Sequence, residues 1–189
     1  MKIDQKAGGF LGRKAEDYYR ELIRALQART ASIHKLTNEF TIHRPGGDLK
    51  LMVFQETFAI HTRGHGDMQD LTDSVSRIIG QSGIKTGMAQ VFVVGSTGAI
   101  GTIEFEPGLK KDLPEMLDRL IPPSRNYGHE QAWHDGNGHS HLQATLLGPS
   151  LSVPVAEGHA VLGTWQQIIH LECDVRSRDR TIVVTVMGE

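Results

Sequence analysis

Cysteine is nearly missing from this chain, and the single thiol, Cys173, can close no intrachain disulfide. The fold therefore relies on a packed core, and a reducing, cytoplasmic setting is expected. No run approaches the roughly 18 apolar residues that a membrane-crossing helix requires. The first residues also lack the apolar core of a secretory signal. Charge of one sign is not in excess: 20 Lys and Arg against 22 Asp and Glu leave a formal net charge of −2. Such a balance sets up no field that would recruit nucleic acid or an anionic membrane, so neither is expected as a partner. There is no internal repeat. At 189 residues the chain can form one domain with its own core and is short for two.

Hydrophobic spacing divides the chain. Residues 1–50 read as an extension, helical or partly disordered. In it AEDYYRELIRALQART places Tyr18, Tyr19, Leu22, Ile23 and Leu26 on one helical face. The body, 51–189, alternates between periods. LMVFQETFAIHT has strand content. MQDLTDSVSRIIGQSG reads as a helix with Asp70 or Thr72 at its start, a stripe of Leu71, Val75, Ile78 and Ile79, and Gly80 or Gly83 at its end. AQVFVV and AIGTIEFE read as strands. In the second, Ile100, Thr102 and Glu104 face one way and Ala99, Gly101, Ile103 and Phe105 the other. A second helix fits LKKDLPEMLDRLI, with Pro114 requiring a start near Asp112. From Leu142 onward the pattern is all strand: LQATLL, LSVPV, AVLGTWQQIIHLE and TIVVTVMG. Two helices among short strands and tight turns predict an α+β fold, a mainly antiparallel β subunit.

Chemistry concentrates where His129, His134, His139 and His141 fall within thirteen residues of a Gly-, Asn- and Asp-rich stretch. Read as a strand, His139 and His141 share a face, and His129 supplies a third nitrogen from across the loop. Three imidazoles leave an open position on a divalent ion, zinc-like by ligand type, with magnesium the oxygen-preferring alternative. His134 lacks such an argument, Asp135 reads as an ordinary turn residue, and a His-lined subunit interface explains the pair equally well. Glu104, in a strand of small and apolar residues, and Asp112, at the expected helix start, can each orient an imidazole or act as a base. Asp112 also reads simply as an N-cap. The Gly95-Ser96-Thr97-Gly98 turn, with Ser96 and Thr97 hydroxyls, suits an anion. Arg176, Arg178 and Arg180 alternate before the last strand. Arg178 and Arg180 can grip phosphate, while a solvated sheet edge accounts for the same spacing. Gln166 shares a strand face with His170, and Trp165 on the other face reads as core.

These segments, in this order, resemble the YjbQ family, often labelled secondary thiamine-phosphate synthase. The carriers are QSG at 81–83, STGAIGTIEFEP at 96–107, Asp112-Leu113, and the Tyr127 and His129 pair. SHLQATLLGPS at 140–150 and LGTWQQI at 162–168 complete the series. The resemblance runs from about Thr57 to Glu189 and leaves the first fifty residues outside. It implies a trimeric α+β subunit with metal-binding histidines near the subunit boundary, carried over here onto His129 and His141. It also implies acidic support from Glu104 and Asp112, and a transferase reaction. In that reaction a pyrimidine diphosphate joins a thiazole phosphate, giving thiamine phosphate and pyrophosphate. Family members carry His-Thr-Thr or His-Thr-Ser where this chain has Gly95-Ser96-Thr97, so one histidine is missing, and His139 is expected to replace it. The resulting expectation is a metal-dependent enzyme on a small phosphorylated metabolite, with His141, Glu104 and Asp112 catalytic. A metal-hydroxide hydrolase and a non-enzymatic trimeric metal or ligand carrier are the alternatives.

Overall fold

In the computed structural model, residues 35–43 and 47–189 are described. Thirteen elements follow: β1 (Lys35–Ile42), β2 (Leu49–His61), β3 (Met68–Asp70), α1 (Thr72–Ser82), β4 (Gly87–Val94), β5 (Gly98–Ile103), α2 (Pro107–Leu120), α3 (His129–Trp133), α4 (Gly138–Leu147), β6 (Ser150–Ala156), β7 (His159–Ala160), β8 (Gln167–Glu172) and β9 (Asp179–Gly188). Six strands form an antiparallel sheet in the order β1-β2-β9-β4-β6-β7, and three form a second in the order β3-β8-β5. The fold is α+β, as the sequence implies, with four helices among the described residues rather than two. The compact unit begins at Lys35, not at 51. KLTNEFTI is a strand paired with β2 from Lys35↔Glu56 to Ile42↔Leu49. The amphipathic stretch around Tyr18–Leu26 lies outside the described residues. No helix among those described is long and apolar enough to cross a membrane.

Strict alternation makes the layers. On β2, β4 and β9 the residues Phe54, Val91, Val93, Ile182, Val184 and Val186 are buried against Val75, Ile78 and Ile79 of α1 and Ile100 and Ile168 of the small sheet. The small sheet's other face presents Ile169, Leu171 and Cys173 to Leu117 of α2 and Ala144 of α4. The small sheet is thus covered on both faces. The large sheet's outer face is not: Phe40, Ile42, Met88, Phe92 and Met187 are exposed there.

Helix α1 follows its sequence signals. The Asp70 carboxylate accepts from the Thr72 amide at 2.8 Å, and Gly83 ends the helix in a left-handed conformation. Helix α2 does not start at Asp112. It starts at Pro107, where the Glu106 carboxylate accepts from the Gly108 and Leu109 amides, so Glu106 is the cap. Asp112 is an exposed interior residue. Pro114 lies inside the helix and removes one donor, and the carbonyl left without it belongs to Lys110, on the exposed side.

Candidate functional site

The histidine-rich segment folds as helix, against the strand reading. Helix α4 buries His139, Ser140, Gln143 and Ala144, while Leu142 and Leu146 stand 47% and 59% exposed. The buried positions recur at helical spacing, but the large ones are polar, and Leu142 and Leu146 face outward. A hydrophobic pattern cannot register such an inverted helix. Glu130 of α3, itself buried, holds the connection. Its carboxylate accepts from the Gly136 and Gly138 amides at 2.9 and 3.3 Å and so fixes the approach of α4.

On a helix, residues two apart diverge by about 200°, so His139 and His141 cannot share a face. Each finds a different partner. The rings of His129 and His141 lie 4.6 Å apart. Asp135 Oδ1 stands 3.3 Å from His129 Nε2 but is not aligned for a hydrogen bond, and both atoms are buried without another partner. The His141 ring hydrogen-bonds the Ser96 backbone, and its pKa is lowered by burial first and by neighbouring His129 second. A neutral imidazole, ready to give a lone pair, results.

His139 turns instead toward the interior, 5.7 Å from the His65 ring and 6.4 Å from Tyr127. Burial, then the proximity of His65, lowers its pKa as well. His65 Nε2 meets Asp118 at 2.9 Å, and Gln143 donates to the same carboxylate at 3.0 Å. His65 also lines a cavity of about 310 Å³ with Arg63, Gly64, Gly66 and Asp67. Neither His65 nor Asp118 was visible in the sequence as a site residue, because one lies in a turn and the other on a helix 53 positions away.

The remaining expected residues divide sharply. Glu104 lies beyond the end of β5 and is exposed, so its carboxylate is solvated rather than set against the core. Asp112 is equally exposed, within α2. Gln166 precedes β8; it donates to Thr102 at 3.1 Å and accepts from the Gly163 amide, closing its own turn. Trp165 is 71% exposed rather than core. The arginines do not form a sheet edge, since β9 runs between β2 and β4. Arg180 is buried and donates to Glu172 through Nε at 2.7 Å and through Nη2, which also reaches Thr97 Oγ1 at 2.7 Å. Thr97 in turn donates to Asp174 at 3.0 Å, and Arg178 Nη2 donates to Asp174 at 2.8 Å. Burial would raise the Asp174 pKa, but donors from Arg176, Arg178 and Thr97 bring it below the ordinary value. Arg178 retains a buried Nε without a partner. Cys173 is no nucleophile, because burial pushes its thiol up to about 12.

Nine buried side-chain atoms lack a hydrogen-bond partner among the described residues, and six of them belong to residues 129–143: His129, Asp135, Asn137, His139, Ser140 and Gln143. Buried polar groups in folded proteins are nearly always satisfied, so this concentration makes the segment the candidate site. Among the described residues no three His, Cys, Asp or Glu side chains are already grouped as a metal cage. Of the expected trio, His129 and His141 come together, with Asp135 beside them, and His139 does not join.

Comparison with known proteins finds a family that matches most of the described chain. Residues 56–189 match the family model described as UPF0047 protein YjbQ-like. A UPF0047 protein of Methanothermobacter thermautotrophicus is 39% identical over 145 residues, covering 75% of this chain and 99% of its own length. YugU of Bacillus subtilis is 33% identical, covering 70% of this chain and 98% of its own length. A crystal structure of a YjbQ-like protein of unknown function from Sulfolobus solfataricus superimposes with a TM-score of 0.69 at 37% identity, covering 74% of this chain and 99% of that one.

Proposed function

The chain belongs to the YjbQ-like UPF0047 family, and from that premise we propose a metal-dependent enzyme acting on a small phosphorylated metabolite. Secondary thiamine-phosphate synthesis is the reaction class, coupling a pyrimidine diphosphate to a thiazole phosphate. The observation that carries the reading is the approach of His129, His141 and Asp135, with His129 Nε2 and Asp135 Oδ1 buried and otherwise unpartnered. Two imidazoles and a carboxylate suit a zinc-like ion better than magnesium. Ring rotation, or a ligand from a neighbouring copy, would close the set. When bound, the ion supplies Lewis acidity toward a leaving pyrophosphate. Arg178, whose side chain is 40% exposed, and Ser96, exposed beside His141, bind phosphate. Asp135 and Asp118 take the supporting role expected of Glu104 and Asp112, since they stand beside imidazoles. The chain's single cysteine suits a cytoplasmic setting.

The test is metal content after purification without chelators. About one divalent ion per chain is expected, and His141→Ala should lose it together with turnover. Metal-free protein that forms thiamine phosphate at an undiminished rate would overturn the metal role. Solvent oxygen in the product would identify a metal-hydroxide hydrolase instead, and tight ligand binding without turnover a carrier.

A homotrimer is part of the same reading. The exposed apolar face of the large sheet, with Phe40, Met88, Phe92 and Met187, exceeds what isolated surface residues require and supports burial between copies. Phe92→Asp, in the middle of β4, is expected to reduce the assembly to monomers in light scattering. An unchanged oligomer mass would place the interface elsewhere.

A further inference from the structure

Arg180 appears twice in the chemistry of this chain, once as a buried structural cation and once through an atom with nothing to do. Its Nε and Nη2 are committed to Glu172 and Thr97. Its Nη1 has no partner among the described residues, although the side chain is 7% exposed. That nitrogen points at Gly95. A Cβ built on Gly95 would stand 2.5 Å from Nη1, and Gly95 itself is exposed, with φ at +140°. Any other residue at 95 would cover the guanidinium edge. Glycine leaves it open to ligand.

We infer that Gly95 is the mouth of an oxyanion notch in which Arg180 Nη1 donates to a phosphoryl group, next to the His129 and His141 pair. The neighbouring Ser96 is exposed and its backbone is hydrogen-bonded by His141, so the notch and the imidazoles share one turn. Glu172 holds the guanidinium through two of its nitrogens, so the donor is fixed before ligand arrives. Preorganised charge-assisted donors of this kind bind anions without reordering a long side chain. The pair with Glu172 also neutralises most of the long-range charge. Selection therefore rests on hydrogen-bond geometry, which favours a tetrahedral phosphoryl group with several acceptor oxygens. This deepens the reading of the site as one for a phosphorylated metabolite, and it stands on atoms other than the metal ligands.

The experiment uses the full chain stripped of metal with chelator and titrated with inorganic phosphate in a calorimeter. Saturable binding is expected in the wild type. Gly95→Ala should weaken it roughly tenfold or more, as loss of a charge-assisted donor does. Gly148→Ala serves as control, since Gly148 has φ at +94° and no neighbour within 4 Å of an added Cβ. It carries comparable backbone strain without closing the notch and should bind phosphate as the wild type does. Equal losses in the two variants, or an unaffected Gly95→Ala, would overturn the inference, as would a wild type that binds no phosphate. If Gly95→Ala does not fold, the guanidinium nitrogen resonances of Arg180 in the wild type decide: a saturable shift on adding phosphate supports the notch, and none refutes it. Zinc uptake measured on the same samples reads the metal proposal separately, so either can fail alone.

Discussion

Glu172→Gln is expected to lower the free energy of unfolding by about 3–5 kcal/mol, the usual cost of stripping one partner from a buried ion pair. Glu172 is fully buried and Arg180 nearly so. Four donors converge on the two carboxylate oxygens: Arg180 Nε and Thr62 Oγ1 on one, Arg180 Nη2 and the Asp174 amide on the other. An amide in place of the carboxylate loses the charge and points an N–H₂ group at donors. The cost therefore combines an uncompensated guanidinium with unsatisfied hydrogen bonds. Replacing both partners by apolar residues, Glu172→Leu with Arg180→Met, should cost much less, because no buried charge is left behind. Urea titration of both variants checks this. A single variant within about 1 kcal/mol of the wild type would show that the pair is not what holds β8 to β9.

His170 carries the second large effect. Its ring is fully buried opposite Ile100 in the small sheet, and neither nitrogen has a hydrogen-bond partner. Gly98 makes room for it: a Cβ there would lie 2.8 Å from His170 Nε2. Burial drives its pKa from the ordinary 6.5 of a histidine down to about 4, with Glu172 opposing the fall and Arg180 adding to it. Between these values the unfolded chain binds a proton that the folded chain refuses, so stability rises with pH across this window. As pH falls from 6.5 to 4 this one residue should remove about 3 kcal/mol, at 1.36 kcal/mol per pKa unit. His170→Leu has no such proton to bind. The difference in stability between the two proteins should therefore change by that amount between pH 7 and pH 4. Parallel pH profiles would refute the assignment.

Local patterns carried the fold a long way. Val75, Ile78 and Ile79 recur at helical spacing and become the buried stripe of α1. Ile100 and Ile103, on opposite faces of β5 by alternation, enter the two separate cores. The patterns failed where burial and polarity part company. In α4 the inward side chains are His139, Ser140 and Gln143, and Leu142 and Leu146 lie outside, so helix was read as strand. Trp165 failed the same way, a large apolar ring left exposed by the turn that Gln166 closes. The expected start of α2 near Asp112 rests on Pro114 alone, whereas the Glu106 carboxylate caps the helix at Pro107 and leaves Pro114 inside it.

The candidate site was legible only in part. The density of histidines located it, and His129 and His141 do meet. The pairing of His139 with His65, and of Asp118 with both His65 and Gln143, joins segments far apart in the chain. No spacing rule reaches across such separations.

Composition and periodicity by themselves determined an antiparallel α+β body with a core of its own and singled out a histidine-rich segment as the candidate site. They did so because burial follows repeats of two and 3.6 residues wherever the buried side chains are apolar. Which imidazoles face each other, which arginine is locked against Glu172, and that Gly95 uncovers its free edge were decided only by the tertiary structure. Polar contacts are set by the direction of individual side chains across packed elements, and hydrophobic spacing holds no record of that direction.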